Sequence, residues 1–480
     1  MASAHLPPAT PASPEKPAPT EVSLFPDNAS FLAQLAVALP GRVSTDPQSL
    51  EAHSADRSGQ RAPGLPLALV KALRVEDVQV ACRLATAHRI PLVTRGAGTG
   101  LAGGTIAGEG ELVLDVSGMD RVLEVSTANR LAVVEPGVIN ATLNALLAPQ
   151  GLWWAPDPAS KAISTVGGNI AMNAGGLLCA KYGVTRESVL ALKVVLADGR
   201  LISVGHRTVK GVTGYDLTAL MIGSEGTLGI IVEATLKLLP AITGETPTLG
   251  AAFASIEAAA AAATAVIEAG LVPAALELMD RPSLDALTAY TGQDPAHGAQ
   301  AYLLAQTDGQ QGQAELDAVA AVLRAGGGEC TLAANAAEAE ALFAQRRLLF
   351  PALEAAGRLL VEDVAVPRDR MADAFAAIRE LEAEFGVSIP TAAHAGDGNL
   401  HPTFVVQGEE IPEVIWEVAG RLFALGLEMG GTLSGEHGIG LLKRRWLRDE
   451  LGDTQMELQR SVKAVFDPLG ILNPGKVFAN

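Results

Sequence analysis

The chain is poor in the residues that disulfide scaffolds and iron–sulfur proteins depend on. It holds three cysteines, Cys82, Cys179 and Cys330, an odd number at wide spacing. They form no CxxC pair, no iron–sulfur pattern and no disulfide framework, so a reducing, cytoplasmic setting is expected, either free or peripheral to the inner membrane. Basic charge is short as well: 35 Lys and Arg stand against 53 Asp and Glu, for a net charge of −18. That excludes nucleic acid as a partner and argues against electrostatic binding to anionic membranes. A long hydrophobic run is also missing. The most apolar stretch, Ala251 to Ala269, is mostly alanine and carries Glu257 and Glu268. A bilayer span needs ~20 strongly apolar residues, so this run is expected to be a soluble helix and no transmembrane span is expected. Residues 1–22, rich in Pro, Ala and Ser, have no apolar leader core, and Met1 to Thr20 have no Arg. They are expected to be a disordered tail, neither signal peptide nor presequence.

What is abundant is glycine, 50 residues, together with 49% hydrophobic residues. The glycines cluster. The first cluster is Pro91 to Gly104, PLVTRGAGTGLAGG: a short apolar strand, Arg95, then Gly96, Gly98, Gly100, Gly103 and Gly104. Such a loop exposes successive backbone N–H groups in a concavity that suits phosphates, and Arg95 adds a planar cation. Gly98-x-Gly100-x-x-Gly103 fits the dinucleotide fingerprint, yet the strand-like ELVLDV (Glu111 to Val116) follows where a Rossmann unit has a helix. The ending Gly-Lys-Ser/Thr of a P-loop is absent too. A dinucleotide cradle on a non-Rossmann scaffold is expected.

A helix over Val75 to His88 should feed that strand, and strands are expected at Leu112 to Val116, Val122 to Val125 and Arg130 to Val134. A helix over 140–148 precedes a Pro-rich loop around Asp157. The Gly/Asn-rich segment Ser164 to Gly176 (STVGGNIAMNAGG) follows. A hairpin spans Leu192 to Val204 around Asp198-Gly199. A third glycine cluster, Gly223 to Ile230, leads into a strand ending at Pro240. TGETPT then reads as a linker. Beyond it strands and helices alternate: Leu249 to Ala254, a helix to Ala269, Ala274 to Met279, a helix at 282–290, Ala301 to Gln306 and a helix at 311–325. Ala336 to Ala356 follows as a helix, Leu359 to Val366 as one strand, and Arg368 to Phe385 as a helix.

Three of the eight histidines lie close in two Gly-flanked motifs, HAGDGNLH (His394, His401) and SGEHG (His437). Asp397-Gly398 is a hairpin turn signal, so His394 and His401 are expected to face each other across a ladder. Two imidazoles so placed, with Glu436 as a carboxylate, make a divalent-metal site with an open position, for Zn, Mn or Fe.

Taken together, RGAGTGLAGG, PDPAS, STVGGNIAMNAGG, GYDLTALMIGSEGTLGI, EDVAVPR, HAGDGNLH, SGEHGIG and FDPLGILNPGK resemble the FAD-linked D-2-hydroxy-acid dehydrogenases. That family includes the glycolate oxidase D subunit, FAD-dependent D-lactate dehydrogenases and D-2-hydroxyglutarate dehydrogenase, within the vanillyl-alcohol-oxidase-type (PCMH-type) flavoproteins. The resemblance implies an α+β fold: a PCMH-type FAD-binding domain of two α+β subdomains at 23–240, an α/β cap carrying substrate and metal at 241–450, and a segment, 451–480, that returns to the flavin. By motif match, Arg95, Gly96, Gly98, Thr99 and Gly100 would hold the pyrophosphate. Asp157, Gly168, Asn169, Asn173, Gly176 and Ile230 would line the flavin and adenine, with Asn473 near the isoalloxazine. Members with covalent flavin often carry a His in the Gly loop. This loop has Thr99, so non-covalent FAD is expected.

In the same way His394, His401 and Glu436 match the family's metal positions, His437 the base and Arg346 the arginine for the substrate carboxylate. Two departures from the 2-hydroxyglutarate enzymes, no lysine in Leu360 to Asp363 and no asparagine after His401, favour D-lactate or glycolate. The implied partners are a 2-hydroxy acid and an electron acceptor: a quinone, a cytochrome or an electron-transfer flavoprotein. The implied assembly is a homo-oligomer or a complex subunit, with an accessory flavoprotein as the rival to an autonomous enzyme.

Overall fold

A computed structural model describes residues 28–408 and 410–478. The expected tail, 1–22, lies outside the described residues, as does the start of the lead-in helix, whose described part is Asn28–Ala38.

The first glycine loop joins two neighbouring strands of a four-stranded sheet. Leu92–Arg95 and Leu112–Asp115 pair in parallel, with Leu92 opposite Leu112. Parallel strands need a crossover, usually a helix. Here the loop itself makes it, which is why no helix follows the glycines. The Val75–His88 helix packs Val78, Ala81, Cys82 and Ala85 inward, at the spacing its sequence shows. A second, five-stranded antiparallel sheet runs Val122–Ser126, Leu131–Val134, Ile230–Lys237, Val189–Val195, Leu201–Gly205. Its outer hairpin turns at Gly199, whose φ of +81° suits glycine. The Gly/Asn segment contains a short helix, Val166–Met172, capped by Thr165 and ended by Asn173 in the left-handed region.

Over residues 248–361 strands and helices alternate as the sequence implies, and every ladder of the resulting eight-stranded sheet is antiparallel. Thr248–Phe253 is followed by the helix Ile256–Glu268, which buries Ala259, Ala260, Ala262 and Ala263. Among the described residues no helix is long and apolar enough to cross a membrane. The expected strand Leu359 to Val366 is in fact two, Arg358–Val361 and Val364–Ala365. Glu362 and Asp363 break it because both carboxylates turn into the protein, where each is fully buried.

After the helix Leu447–Phe466 the chain turns back to the first sheet. Ile471 and Leu472 join that sheet's core, and Leu92 N–H donates to Ile471 O at 2.7 Å. Asn473 N–H donates to Leu92 O at 2.8 Å, so the chain end lies beside the strand that enters the glycine loop.

Candidate functional site

The HAGDGNLH segment folds as a hairpin between Thr391–His394 and Asn399–Val406, closed by N–H bonds from Asp397 and Gly398 to His394 O. The register corrects one expectation. Residue 394 pairs with Asn399, and His401 pairs with Ala392. Four loop residues, 395–398, set this offset. The two histidines are therefore diagonal neighbours on one face, near enough for long side chains to meet. Their rings lie 4.9 Å apart, edge to face.

Glu436 closes the group from the second loop. Its Oε1 lies 3.4 Å from His394 Nε2, 3.3 Å from His401 Nε2 and 4.0 Å from His437 Nε2. His437 stacks on His401 at 5.1 Å. His394 Nδ1 meets Glu277 Oε1 at 2.7 Å, and Glu277 Oε2 accepts from Arg346 Nε at 3.0 Å. A carboxylate on Nδ1 fixes the tautomer that leaves the Nε2 lone pair free, the usual support of a metal-binding imidazole. Burial opposes charge on His394, but Glu277 and Glu436 outweigh it and hold its pKa well above the ordinary value. Burial would raise Glu436, but the two histidines hold its carboxyl well below the carboxylate range. Burial lowers His437 to about 4, against the pull of Asp363, so its ring is neutral at neutral pH.

Asp363 organises the second loop. It accepts from Ser434 Oγ at 2.6 Å, Glu436 N at 3.1 Å and His437 N at 2.9 Å, and from Asn399 Nδ2 at 2.6 Å. Burial opposes its charge, but buried Lys443 and the histidines keep it well below the carboxylate range. Glu277 and Asp363 were not singled out from sequence as parts of the site. The one available signal was an acid within an apolar strand, ALELMD for Glu277.

The histidine cluster and the glycine segments meet in one place. Gly175 sits against Glu436: a Cβ there would lie 2.4 Å from Glu436 Oε2. The N–H groups of Ile439 and Gly440 donate to the two oxygens of Glu225, in the third glycine cluster, at 2.8 Å each. Leu441 N–H donates to Ala102 O in the first loop at 2.8 Å. Asn473 Nδ2 donates to Gly104 O at 3.1 Å and Glu225 O at 2.6 Å, binding the chain end to two clusters at once.

The other singled-out residues have these places. Arg95 is buried and donates to Ala55 O at 2.8 Å, bracing the loop from beneath. Gly98 closes over its guanidinium, with a φ of +67° and room for no Cβ. Gly96 lies against Thr165. Thr99 and Gly100 continue the loop, and at Gly100 the space is open but for Asp56. Gly176 abuts Asp157, whose Oδ1 accepts from Leu178 N at 3.1 Å and which burial raises to about 6. Gly168 N–H is capped by Thr165, Asn173 Oδ1 accepts from Arg186 N, and Ile230 starts a buried strand. Arg346 is tied to Glu277.

Buried polar atoms without a partner among the described residues mark where a polar ligand fits: Ser164 Oγ, Asn169 Nδ2 and Asn473 Oδ1 on the glycine side, His401 Nδ1 and His437 Nδ1 on the other. His394, His401 and Glu436 each present a ligand atom within 4.8 Å of the others, a donor set that fits a divalent cation.

Comparison with known proteins gives the family. Residues 66–205 match the FAD binding domain family and residues 243–477 the C-terminal domain of FAD linked oxidases. The glycolate oxidase subunit GlcD of Bacillus subtilis (strain 168) is 40% identical, covering 86% of this chain and 89% of its own length. A D-lactate dehydrogenase of Anaerostipes hadrus is 36% identical over 91% of this chain and 95% of its own. Among solved structures, p-cresol methylhydroxylase with substrate bound superposes with a TM-score of 0.75 at 17% identity, covering 94% of this chain and 97% of that one, a likeness of fold.

Proposed function

The chain belongs to the FAD-linked oxidases, and on that premise we propose that it oxidises a D-2-hydroxy acid, D-lactate or glycolate, to the 2-oxo acid. The observation that carries this reading is the contact between the two halves, with Glu436 of the histidine cluster against Gly175 of a glycine segment.

The glycine loop at 96–104 would hold the pyrophosphate of non-covalent FAD by its amides, with Asn169 and Asn473 offering their open polar atoms. When bound, FAD would supply the acceptor for the hydride that leaves the substrate C2. A divalent cation on His394, His401 and Glu436 would lower the pKa of the 2-hydroxyl. Arg346, held through Nε by Glu277, keeps the far edge of its fork for the substrate carboxylate. His437, neutral through burial, takes the hydroxyl proton on Nε2, the nitrogen that faces Glu436. Glu277 orients His394, and Asp363 fixes the backbone that carries Glu436 and His437. In domain terms, 23–240 binds FAD, 241–450 carries substrate and metal, and 451–480 returns to the flavin.

The name of the Bacillus subtilis relative, a glycolate oxidase subunit, favours a second reading. In it the chain is the flavoprotein subunit of a larger cytoplasmic or membrane-peripheral complex that passes electrons to a quinone, a cytochrome or an electron-transfer flavoprotein. Dye reduction by the purified chain with D-lactate, glycolate and D-2-hydroxyglutarate separates the readings. Turnover by the chain alone supports the first, turnover only with added cell extract supports the second, and none in either case refutes both.

A further inference from the structure

We propose that a cleft on the other side of the glycine loop, built on Arg444, Arg445 and Lys476, is a second binding site, for a small free anion of the phosphate class. The cleft has a volume of about 560 Å³ and is also lined by Trp416, Leu441 and Pro474. It shares no residue with the histidine cluster and does not depend on which acid is oxidised.

Charge makes the case. Four cationic side chains, Arg61, Arg444, Arg445 and Lys476, line the cleft with two carboxylates, Glu109 and Glu111. Arg61 is engaged by Glu51, and Lys476 has Glu111 at 3.3 Å. Among the described residues no carboxylate lies within 4.0 Å of Arg444 or Arg445. In a chain with a net charge of −18, two adjacent arginines with no acid in ion-pair contact, Glu362 acting on Arg445 only at longer range, form a local excess that an anion would neutralise.

The cations are also held in place. The Arg445 guanidinium lies 4.3 Å from the Trp416 ring centre and 4.5 Å from that of Trp446. Stacking of this kind orders a long side chain in advance, so less entropy is lost when its donors bind. Arg444 Nη1 donates to Gly475 O. Lys476 is 4% exposed, and burial lowers its pKa against the pull of Glu111, with Arg444 adding to the shift. An anion between them would offset the repulsion between the two cations.

The cleft shares a wall with the reaction site. Leu441 N–H and Leu442 N–H donate to Ala102 O at 2.8 and 3.3 Å, and Val477 N–H donates to Gly440 O at 2.8 Å. An occupant would thus brace the stretch that joins the His437 loop to the glycine loop.

Titration calorimetry of the FAD-loaded full chain with inorganic pyrophosphate tests the proposal, because bound FAD already fills its own pyrophosphate cradle. The expected result is one saturable site per chain that weakens in about 0.3 M salt. Affinity should fall roughly tenfold or more in Arg445→Gln, an exposed position, and in Lys476→Met, and stay unchanged in the remote Arg347→Gln. No saturable heat with the wild type, or binding that Arg445→Gln leaves intact, would overturn it. If the lysine variant does not fold, the Arg445 variant decides.

Discussion

The two halves of the site are made of different material. The glycine half offers backbone: amides on glycine-rich loops, kept in shape by supports such as Arg95 under Gly98 and Asn473 across Gly104 and Glu225. The histidine half offers side chains: three imidazoles and a carboxylate, with Glu277 on His394 Nδ1 and Asp363 on the backbone N–H groups of Glu436 and His437. A backbone cradle fails when an atom is added, and a side-chain cluster fails when one is removed. Substitutions should therefore separate the two functions, with cofactor retention failing in one half and turnover in the other.

The largest effect is expected at His437. His437→Ala removes the proton acceptor and should lower turnover roughly 10²–10⁴-fold, with flavin content and absorption spectrum unchanged. Steady-state rates beside flavin stoichiometry check this, and a fall of less than tenfold places the base elsewhere. Next comes Glu277→Gln, which takes the carboxylate from His394 Nδ1 and the ion partner from Arg346. Metal affinity should drop roughly 10–100-fold, read by competition with a chromogenic chelator, while FAD stays bound.

Gly98→Ala probes the other half. The left-handed backbone costs a side chain about 1–2 kcal/mol, and the new Cβ would lie 2.1 Å from Arg95 Nη2. FAD affinity should fall roughly 5- to 30-fold, by flavin fluorescence on dilution, with metal content unaltered.

The smallest effect concerns Glu362, fully buried, with neither carboxylate oxygen partnered among the described residues. Burial raises it to about 7. Its folded pKa lies above its unfolded one, so the folded state binds the extra proton between them. Stability is then full below the unfolded pKa and is lost as pH rises through about 7. Glu362→Gln should flatten that decline and raise stability at pH 8 by on the order of 1–3 kcal/mol, measured as thermal midpoints from pH 5 to 8.

How much could be read in advance divides along the same line. The glycine half was legible because strand, glycine loop and strand are contiguous, and the missing helix after Gly104 shows in the residues themselves. The two histidines on a turn were legible for the same reason. Their register was not: a loop of four rather than two residues shifts His401 to a diagonal position, and sequence alone does not give the loop length. Glu277 stayed hidden because it is a single acid in an apolar strand, and Asp363 because it sits beside Glu362 in the gap between two short strands; they lie 117 and 74 residues from the histidines they serve. Only the antiparallel sheet brings them there. Arg346 was singled out, but its bond to Glu277 depends on how the Ala336–Ala356 helix lies across that sheet. The break at Glu362-Asp363 was missed since LLVEDVAV reads as one apolar run.

The most direct test is an anaerobic absorbance titration of the FAD-loaded protein with D-lactate and glycolate, metal-replete, chelated and with a divalent cation restored. The joined halves predict that one acid bleaches the oxidised-flavin band in the replete protein, that chelation stops or greatly slows the bleaching, and that adding the cation restores it. Bleaching at an unchanged rate after chelation, or no bleaching by either acid, would contradict the account.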